Sequence, residues 1–428
     1  MKFRSLSNLA LESTFEKVLF DGLSPDGTLY YPVRFPEPSA ELLASETVSE
    51  LATTYLYDLL GDEITYNDLK AISQKVMNFE LPIVPVGDFK VLELFHGPTM
   101  AFKDIGARFL AQFMSYFIRN NPEQTEKTIF VATSGDTGGA VANAFSDVEG
   151  INVVILFPKG RVSQLQRLQL TRVGSNVISI EVDGFFDDCQ SFVKKAFSDK
   201  EITQKLSLST ANSINISRLL PQMLFYIWSY QQLATDKINF IVPSGNFGNL
   251  TAGLFSKKYV IKNAKFVVAN NANHPFFDYL KTGKYEPKQT IETISNAMDI
   301  GNPSNTERVF ELYHRNLDLI KNDISASVIS DKQTIETINQ VYDEHGYLLD
   351  PHTAVAWHAA ELAQRPDYEN VVVSTAAPEK FAQIIKHRTG IDVDDDAASR
   401  PFKKAKDMSL QASADYAEIK QIILDRLS

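Results

Sequence analysis

The stretch Val91–Phe117, VLELFHGPTMAFKDIGARFLAQFMSYF, decides how the rest of the chain is read. Val91–Phe95 is short and apolar, as a buried strand is. His96-Gly97-Pro98-Thr99 ends it with turn residues, and from Asp104 a helical face runs through Ile105, Phe109, Phe113 and Phe117 at steps of four. Lys103 therefore stands where a loop becomes the first turn of an amphipathic helix. A cation is mildly disfavoured by the helix field there. Positive surroundings and an apolar pocket lower a lysine pKa, as a nucleophilic or imine-forming amine requires. Taken alone, the position has two readings: such an amine, or a solvated lysine beside Asp104.

Outward from this stretch the pattern is regular. Met1–Glu80 reads as mainly helical, with a short extended piece at Thr28–Pro32 and helices over Ser39–Leu60 and Thr65–Phe79. Beyond the central helix, strands at Thr128–Ala132, Ile151–Phe157 and Asn176–Val182 alternate with helices. A long apolar helix, Ser217–Leu233, follows, and the alternation restarts with strands at Ile238–Val242, Ala264–Ala269, Ser325–Ile329 and Val371–Ser374. Strands of this length separated by helices predict parallel sheets with right-handed crossovers. The expected units are a helical region over 1–90, a smaller α/β domain over 91–215 and a larger one over 216–428.

Ligands of open parallel sheets sit beyond the carboxyl ends of strands. Four loops occupy that position: His96–Lys103, Thr133–Gly138, Ser244–Asn249 and Thr375–Pro378. Ser244-Gly245-Asn246-Phe247-Gly248-Asn249 follows a strand and opens a helix, so its backbone N–H groups can cradle an anion. It lacks the lysine and hydroxyl of a nucleotide P-loop and the spacing of a dinucleotide fingerprint. It is either a cup for a single phosphate or a ligand-free turn. Thr133–Gly138 repeats the arrangement; Asp136 there either belongs to an anion site or caps the next helix.

Composition removes other classes. With 428 residues, 44% hydrophobic and 22% charged, the chain suits two or three globular domains. A net charge of −11 without a basic block argues against nucleic-acid and anionic-membrane partners. Cys189 is the single cysteine, so neither an intrachain disulfide nor a cysteine metal cluster can form, and the seven histidines lack paired ligand spacing. No metal is expected. No signal peptide and no apolar run of spanning length are present, so a cytoplasmic location is expected.

A lysine imine beside a monophosphate cup points to pyridoxal phosphate. HGPTMAFKDIGARFL, VATSGDTGGAVANAF, ANSINISRLLPQMLFY, VPSGNFGN and STAAPEKF, with GLSPDGTLYYP near the N-terminus, resemble in order the blocks of the threonine synthase family, within the tryptophan-synthase-β-like enzymes. The resemblance implies fold type II, with two open parallel-sheet α/β domains and a mainly helical N-terminal region. It implies Lys103 as the Schiff-base lysine, Ser244, Gly245, Asn246, Phe247, Gly248 and Asn249 around the cofactor phosphate, and Thr375 facing the pyridine nitrogen. For the substrate it implies Thr99, the carboxylate loop Ser134, Gly135, Asp136 and Thr137, and Asn215, Arg218, Asn305 and Arg308, with the arginines at the substrate phosphate. Asp136 stands where distant relatives carry Asn near the cofactor's phenolic oxygen, so either it points away or Asn212 or Asn215 takes that place. The implied reaction converts O-phospho-L-homoserine to L-threonine, in a monomer or homodimer. A related phospho-lyase yielding 2-oxobutyrate and a non-catalytic metabolite-binding protein are the alternatives.

Overall fold

The computed structural model describes residues 1–427 except 122, 123, 125, 134, 404 and 405. Near the N-terminus, β1 (Phe3–Ser5), β2 (Glu12–Ser13) and β3 (Tyr30–Pro32) form a small antiparallel sheet. The remaining strands are β4 (Ile83–Val86), β5 (Phe89–Glu93), β6 (Lys127–Ala132), β7 (Ile151–Pro158), β8 (Val177–Asp183), β9 (Leu208–Thr210), β10 (Ile238–Pro243), β11 (Lys265–Asn270), β12 (Ile324–Val328), β13 (Glu369–Ser374) and β14 (Leu410–Ser413). They build two sheets, ordered β12-β11-β10-β13-β5-β4 and β14-β8-β7-β6-β9. Every pairing in them is parallel except the β4–β5 hairpin. Among the described residues no helix is long and apolar enough to cross a membrane.

Both faces of each sheet are covered, as parallel sheets require. In the larger sheet Leu92, Phe240, Val242, Phe266 and Val268 pack into one core, while Val91, Ile241, Val267 and Val372 pack with Ile338, Val341 and Trp357 into another. In the smaller sheet Ile129, Val131, Val153 and Ile155 join the first of these cores. That shared core holds Phe109, Phe113 and Phe117 of the helix Lys103–Asn120. The central helix is thus the apolar wedge between the sheets, as its four-residue spacing predicts.

The sheets do not follow the expected division into 91–215 and 216–428. Strand β5, which leads to Lys103, pairs with β13 in the larger sheet, and β14 at the far end of the chain pairs with β8 in the smaller one. A parallel partner is chosen by edge availability across long crossovers, not by proximity along the chain. The expected helix Ser217–Leu233 is also divided, into Ile216–Leu219, a 3-10 turn over Leu220–Gln222 and Met223–Leu233. Pro221 supplies no N–H and clashes with the preceding turn, so a continuous helix cannot pass through it. The segment Ser39–Leu60 likewise becomes a 3-10 turn, Leu42–Ala44, and a helix, Val48–Leu60, that starts at a Thr47–Glu50 capping box.

Where the central helix crosses Ile216–Leu219, a Cβ built on Gly106 would lie 2.6 Å from the Arg218 carbonyl oxygen. Alanine normally gains about 1 kcal/mol over glycine inside a helix. Here the obstacle is backbone and cannot swing aside, so overpacking outweighs that gain. Gly106→Ala is expected to destabilise by roughly 1–2 kcal/mol net, read as a lower urea midpoint. A midpoint at or above that of the parent would show that the two helices can part freely.

Candidate active site

Loops from both large sheets open onto one cavity of about 640 Å³. The loop after β5 crosses the end of β13: Phe102 N–H donates to the Thr375 carbonyl at 2.9 Å, Ala377 N–H donates to the Met100 carbonyl at 3.2 Å, and Ala101 bridges Ala376. Asp104 ties the same loop from inside, accepting the Thr99 N–H at 2.9 Å and the Thr99 hydroxyl at 2.5 Å. Lys103 is thereby fixed at the helix start by backbone on one side and a buried carboxylate on the other.

The Lys103 side chain is 14% exposed and faces the cavity, with Nζ 3.4 Å from Asp136 Oδ2. Burial lowers its pKa; Asp136 opposes the shift, while Lys380 and Arg218 add to it. Asp136 opens the helix Asp136–Phe145, where the helix field favours an anion. Its Oδ1 lies 2.9 Å from Lys380 Nζ and accepts from Gln166 Nε2 at 2.9 Å. Burial works against its charge, but the Lys380 and Lys103 ammoniums outweigh that and hold the carboxyl well below the usual range.

The opposite wall is Ser244–Leu250. Helix geometry leaves the first-turn amides of Gly248–Tyr259 without intrahelical acceptors. Phe247 turns the chain into that helix with a left-handed φ of 61°. A Cβ on Gly245 would meet the Ala297 oxygen at 2.7 Å, whereas one on Gly248 would come no closer than 3.4 Å to any protein atom. Gly245 is therefore needed for packing, whereas a Cβ on Gly248 would make only ordinary contact with Ser213 and Asn305. Asn246 is braced from behind, donating to Ser213 Oγ at 2.5 Å and accepting the Ser304 N–H at 2.6 Å.

Arg218 and Thr137 also line the cavity. Arg218 donates to the Ala211 carbonyl at 2.5 Å, its Nε has no partner, and burial lowers its pKa to about 10. Five expected substrate residues, Thr99, Gly135, Asn215, Asn305 and Arg308, do not line it. Thr99 is wholly buried against Asp104. Asn215 gives its amide to the Leu19 and Thr210 carbonyls and accepts the Ser217 N–H, acting as a cap. Asn305 donates to the Ser213 and Asn246 carbonyls. Arg308 spends its guanidinium on Tyr30, Ser213, Ile214 and Asn305, so its fork holds the N-terminal sheet to the cavity wall instead of a phosphate. Asp136 does line the cavity, but its side-chain carboxylate is paired to Lys380 and Lys103 and has no donor to offer a substrate carboxylate. Ser134 lies outside the described residues, and Gly135, at φ 141°, serves close packing, since a Cβ there would fall 2.5 Å from Gln166.

Sequence reading passed over Lys380, Asp299 and His352, although Lys380 stands inside STAAPEKF. His352 Nδ1 contacts Asp350 at 2.8 Å and its Nε2 accepts the Ala297 N–H at 3.1 Å, so Nδ1 carries the proton. Burial raises Asp299 to about 6, against the hydrogen bonds it accepts from Thr293 and Asn271.

A buried amine on one wall, the first-turn amides of a cavity-lining helix start on the other and Thr375 at the end of β13 fit pyridoxal phosphate. The buried and unpartnered Asn212 Oδ1 and Asn249 Nδ2 add polar atoms without a protein partner. Comparison with known proteins agrees. The model of the family described as pyridoxal-phosphate dependent enzyme matches residues 89–376, and that of the threonine synthase N terminus matches residues 2–77. A threonine synthase from Haemophilus influenzae is 38% identical, with 96% of each chain covered. The crystal structure of threonine synthase from Escherichia coli superposes with a TM-score of 0.91 at 36% identity, over 99% of this chain and 100% of that one. The PLP-bound threonine synthase from Brucella melitensis gives 0.93 at 33% identity, over 100% and 99%. The chain belongs to the threonine synthase family of pyridoxal-phosphate-dependent enzymes.

Proposed function

We propose that this cavity converts O-phospho-L-homoserine and water to L-threonine and phosphate, with pyridoxal phosphate held between Lys103 and the Ser244–Asn249 loop. The observation that carries the reading is the buried Lys103 amine, its proton affinity lowered, in one cavity with the first-turn amides of Gly248–Tyr259. The loop and helix start receive the cofactor phosphate, Thr375 faces the ring nitrogen, and Asn212 is the cavity-lining amide available for the phenolic oxygen. When bound, the cofactor supplies delocalisation for the electron pair left at carbon after proton removal.

Lys103 then moves the protons. Its amine takes one from Cα and one from Cβ, phosphate leaves from Cγ, and the same nitrogen returns protons to Cγ and Cα as water adds at Cβ. Arg218 is the cationic fork available to the substrate phosphate, and the Thr137 hydroxyl is a cavity-lining donor for the carboxylate. His352 is engaged at both ring nitrogens, and Asp299 is tied to Thr293, Asn271 and Asn273. The departing phosphate is therefore the base left for the water. All these residues come from one chain, which accommodates a monomer or a homodimer.

Product analysis tests the reading: O-phospho-L-homoserine should give threonine and phosphate in equal amounts, and 2-oxobutyrate with ammonia would overturn it. Lys103→Ala should abolish turnover and remove the visible absorbance of the lysine-linked cofactor, with little change in melting temperature. A band that survives dialysis of this variant would mean that another lysine holds the cofactor. Gly248→Asp puts a carboxylate at the start of the helix proposed to receive the cofactor phosphate, where its Cβ meets no close contact, so cofactor affinity should fall about 100-fold or more while the apoprotein stays folded by circular dichroism. An affinity within a few-fold of the parent would place the cofactor phosphate elsewhere.

A further inference from the structure

Lys380 is a buried cation outside the reaction scheme. It sits in the 3-10 turn Pro378–Phe381, just past the end of β13, and its side chain is fully buried. Its three ammonium hydrogens have three oxygen partners: the Thr99 carbonyl at 2.7 Å, Asp136 Oδ1 at 2.9 Å and Gln169 Oε1 at 3.2 Å. The geometry is that of a fixed, fully satisfied ammonium. One helix, Gln164–Thr171, orients the group from the side: Gln166 donates to Asp136, and Gln169 accepts from Lys380 while donating to the Thr99 carbonyl.

A carboxylate 3.4 Å from a reactive lysine poses a problem on its own. An isolated buried Asp–Lys pair holds its proton tightly, because losing it leaves a bare negative charge in a medium that solvates charge poorly. We propose that Lys380 is a positioning residue that neutralises Asp136 and so allows Lys103 to lose its proton at physiological pH. The proposal rests on Lys103 being the reactive amine.

A charge count gives the sign. With Lys380 present, deprotonating Lys103 takes the three-residue cluster from +1 to 0. Without it the same step goes from 0 to −1, which burial opposes, so the midpoint rises. This holds wherever the shared proton resides between Asp136 and Lys103. Removing Asp136 alone takes the cluster from +2 to +1, so the midpoint falls. Removing both charges restores +1 to 0. Other charged groups do not change between variants: Arg218 acts on Lys103 from the adjoining short helix, Asp104 on its own helix is turned to Thr99, and Asp21, Lys194, Lys288, Asp299 and His352 line the same cavity.

The test uses the cofactor-free full chain. Lys103 is labelled with a trace amount of acetic anhydride across pH 6 to 11, and its extent of reaction is quantified by peptide mass spectrometry. Lys380→Met should raise the midpoint of Lys103 reactivity by about one pH unit or more. Asp136→Asn should lower it by a comparable amount, and Lys380→Met with Asp136→Asn should return it near the parent value. An unchanged midpoint in Lys380→Met, with folding intact by circular dichroism, would reduce Lys380 to a packing residue and overturn the proposal. Should Lys380→Met not fold, Lys380→Gln, which keeps a donor to the Thr99 carbonyl, takes its place under the same criteria. A wrong functional assignment would surface separately, as cofactor retained by Lys103→Ala, and would leave the order of these midpoints untouched.

Discussion

The site depends on one set of backbone pairings. Strand β13 lies between β5 and β10 and hydrogen-bonds to both in parallel, with Val372 opposite Val91 and Ile241. Because all three strands run the same way, their carboxyl ends emerge together, carrying Lys103, Thr375 and the Ser244–Asn249 loop to one edge. The Phe102-to-Thr375 hydrogen bond and the Ala101–Ala376 bridge continue that pairing past the sheet. A lysine and a phosphate cup more than 140 residues apart are thus registered to each other by the sheet ladder, as catalytic geometry requires.

Electrostatics follow from that placement. The edge gathers Lys103, Lys380, Arg218 and Asp136 in a region with little access to water. Burying cations is costly unless each has oxygen partners. Lys380 and Arg308 meet that condition completely, with carbonyl and amide oxygens and, for Lys380, Asp136. Lys103 and Arg218 meet it only in part. Arg218 has one carbonyl partner and an orphaned Nε, and Lys103 has one long contact to Asp136. The division is informative: satisfied cations hold the frame, and unsatisfied ones face the cavity, where a ligand's phosphate or carbonyl carbon completes them.

Much of this was legible in the sequence, for reasons specific to each part. The strand–loop–helix junctions at Lys103, Asp136 and Ser244 stand out because short β-branched runs end in Gly, Ser, Thr and Asn and then switch to helical spacing. That signal is local. Sheet membership was not legible, since β5 and β14 each pair with strands more than 200 residues away and nothing in their composition names the partner. Side-chain direction was equally hidden. Asn215 sits inside a motif block and Asn305 and Arg308 lie outside all of them, yet all three donate chiefly to backbone carbonyls instead of facing the cavity. Lys380 was passed over because a lysine in a turn is usually solvated; only the fold shows it reaching the Thr99 carbonyl.

The central claim is that a single buried amine, Lys103, holds the cofactor in this cavity. Borohydride reduction of the cofactor-loaded protein makes that linkage permanent, and peptide mass spectrometry then locates it. The geometry predicts one modified peptide, with the added mass on Lys103. Added mass on Lys380, or on any lysine away from the end of β5, would contradict it.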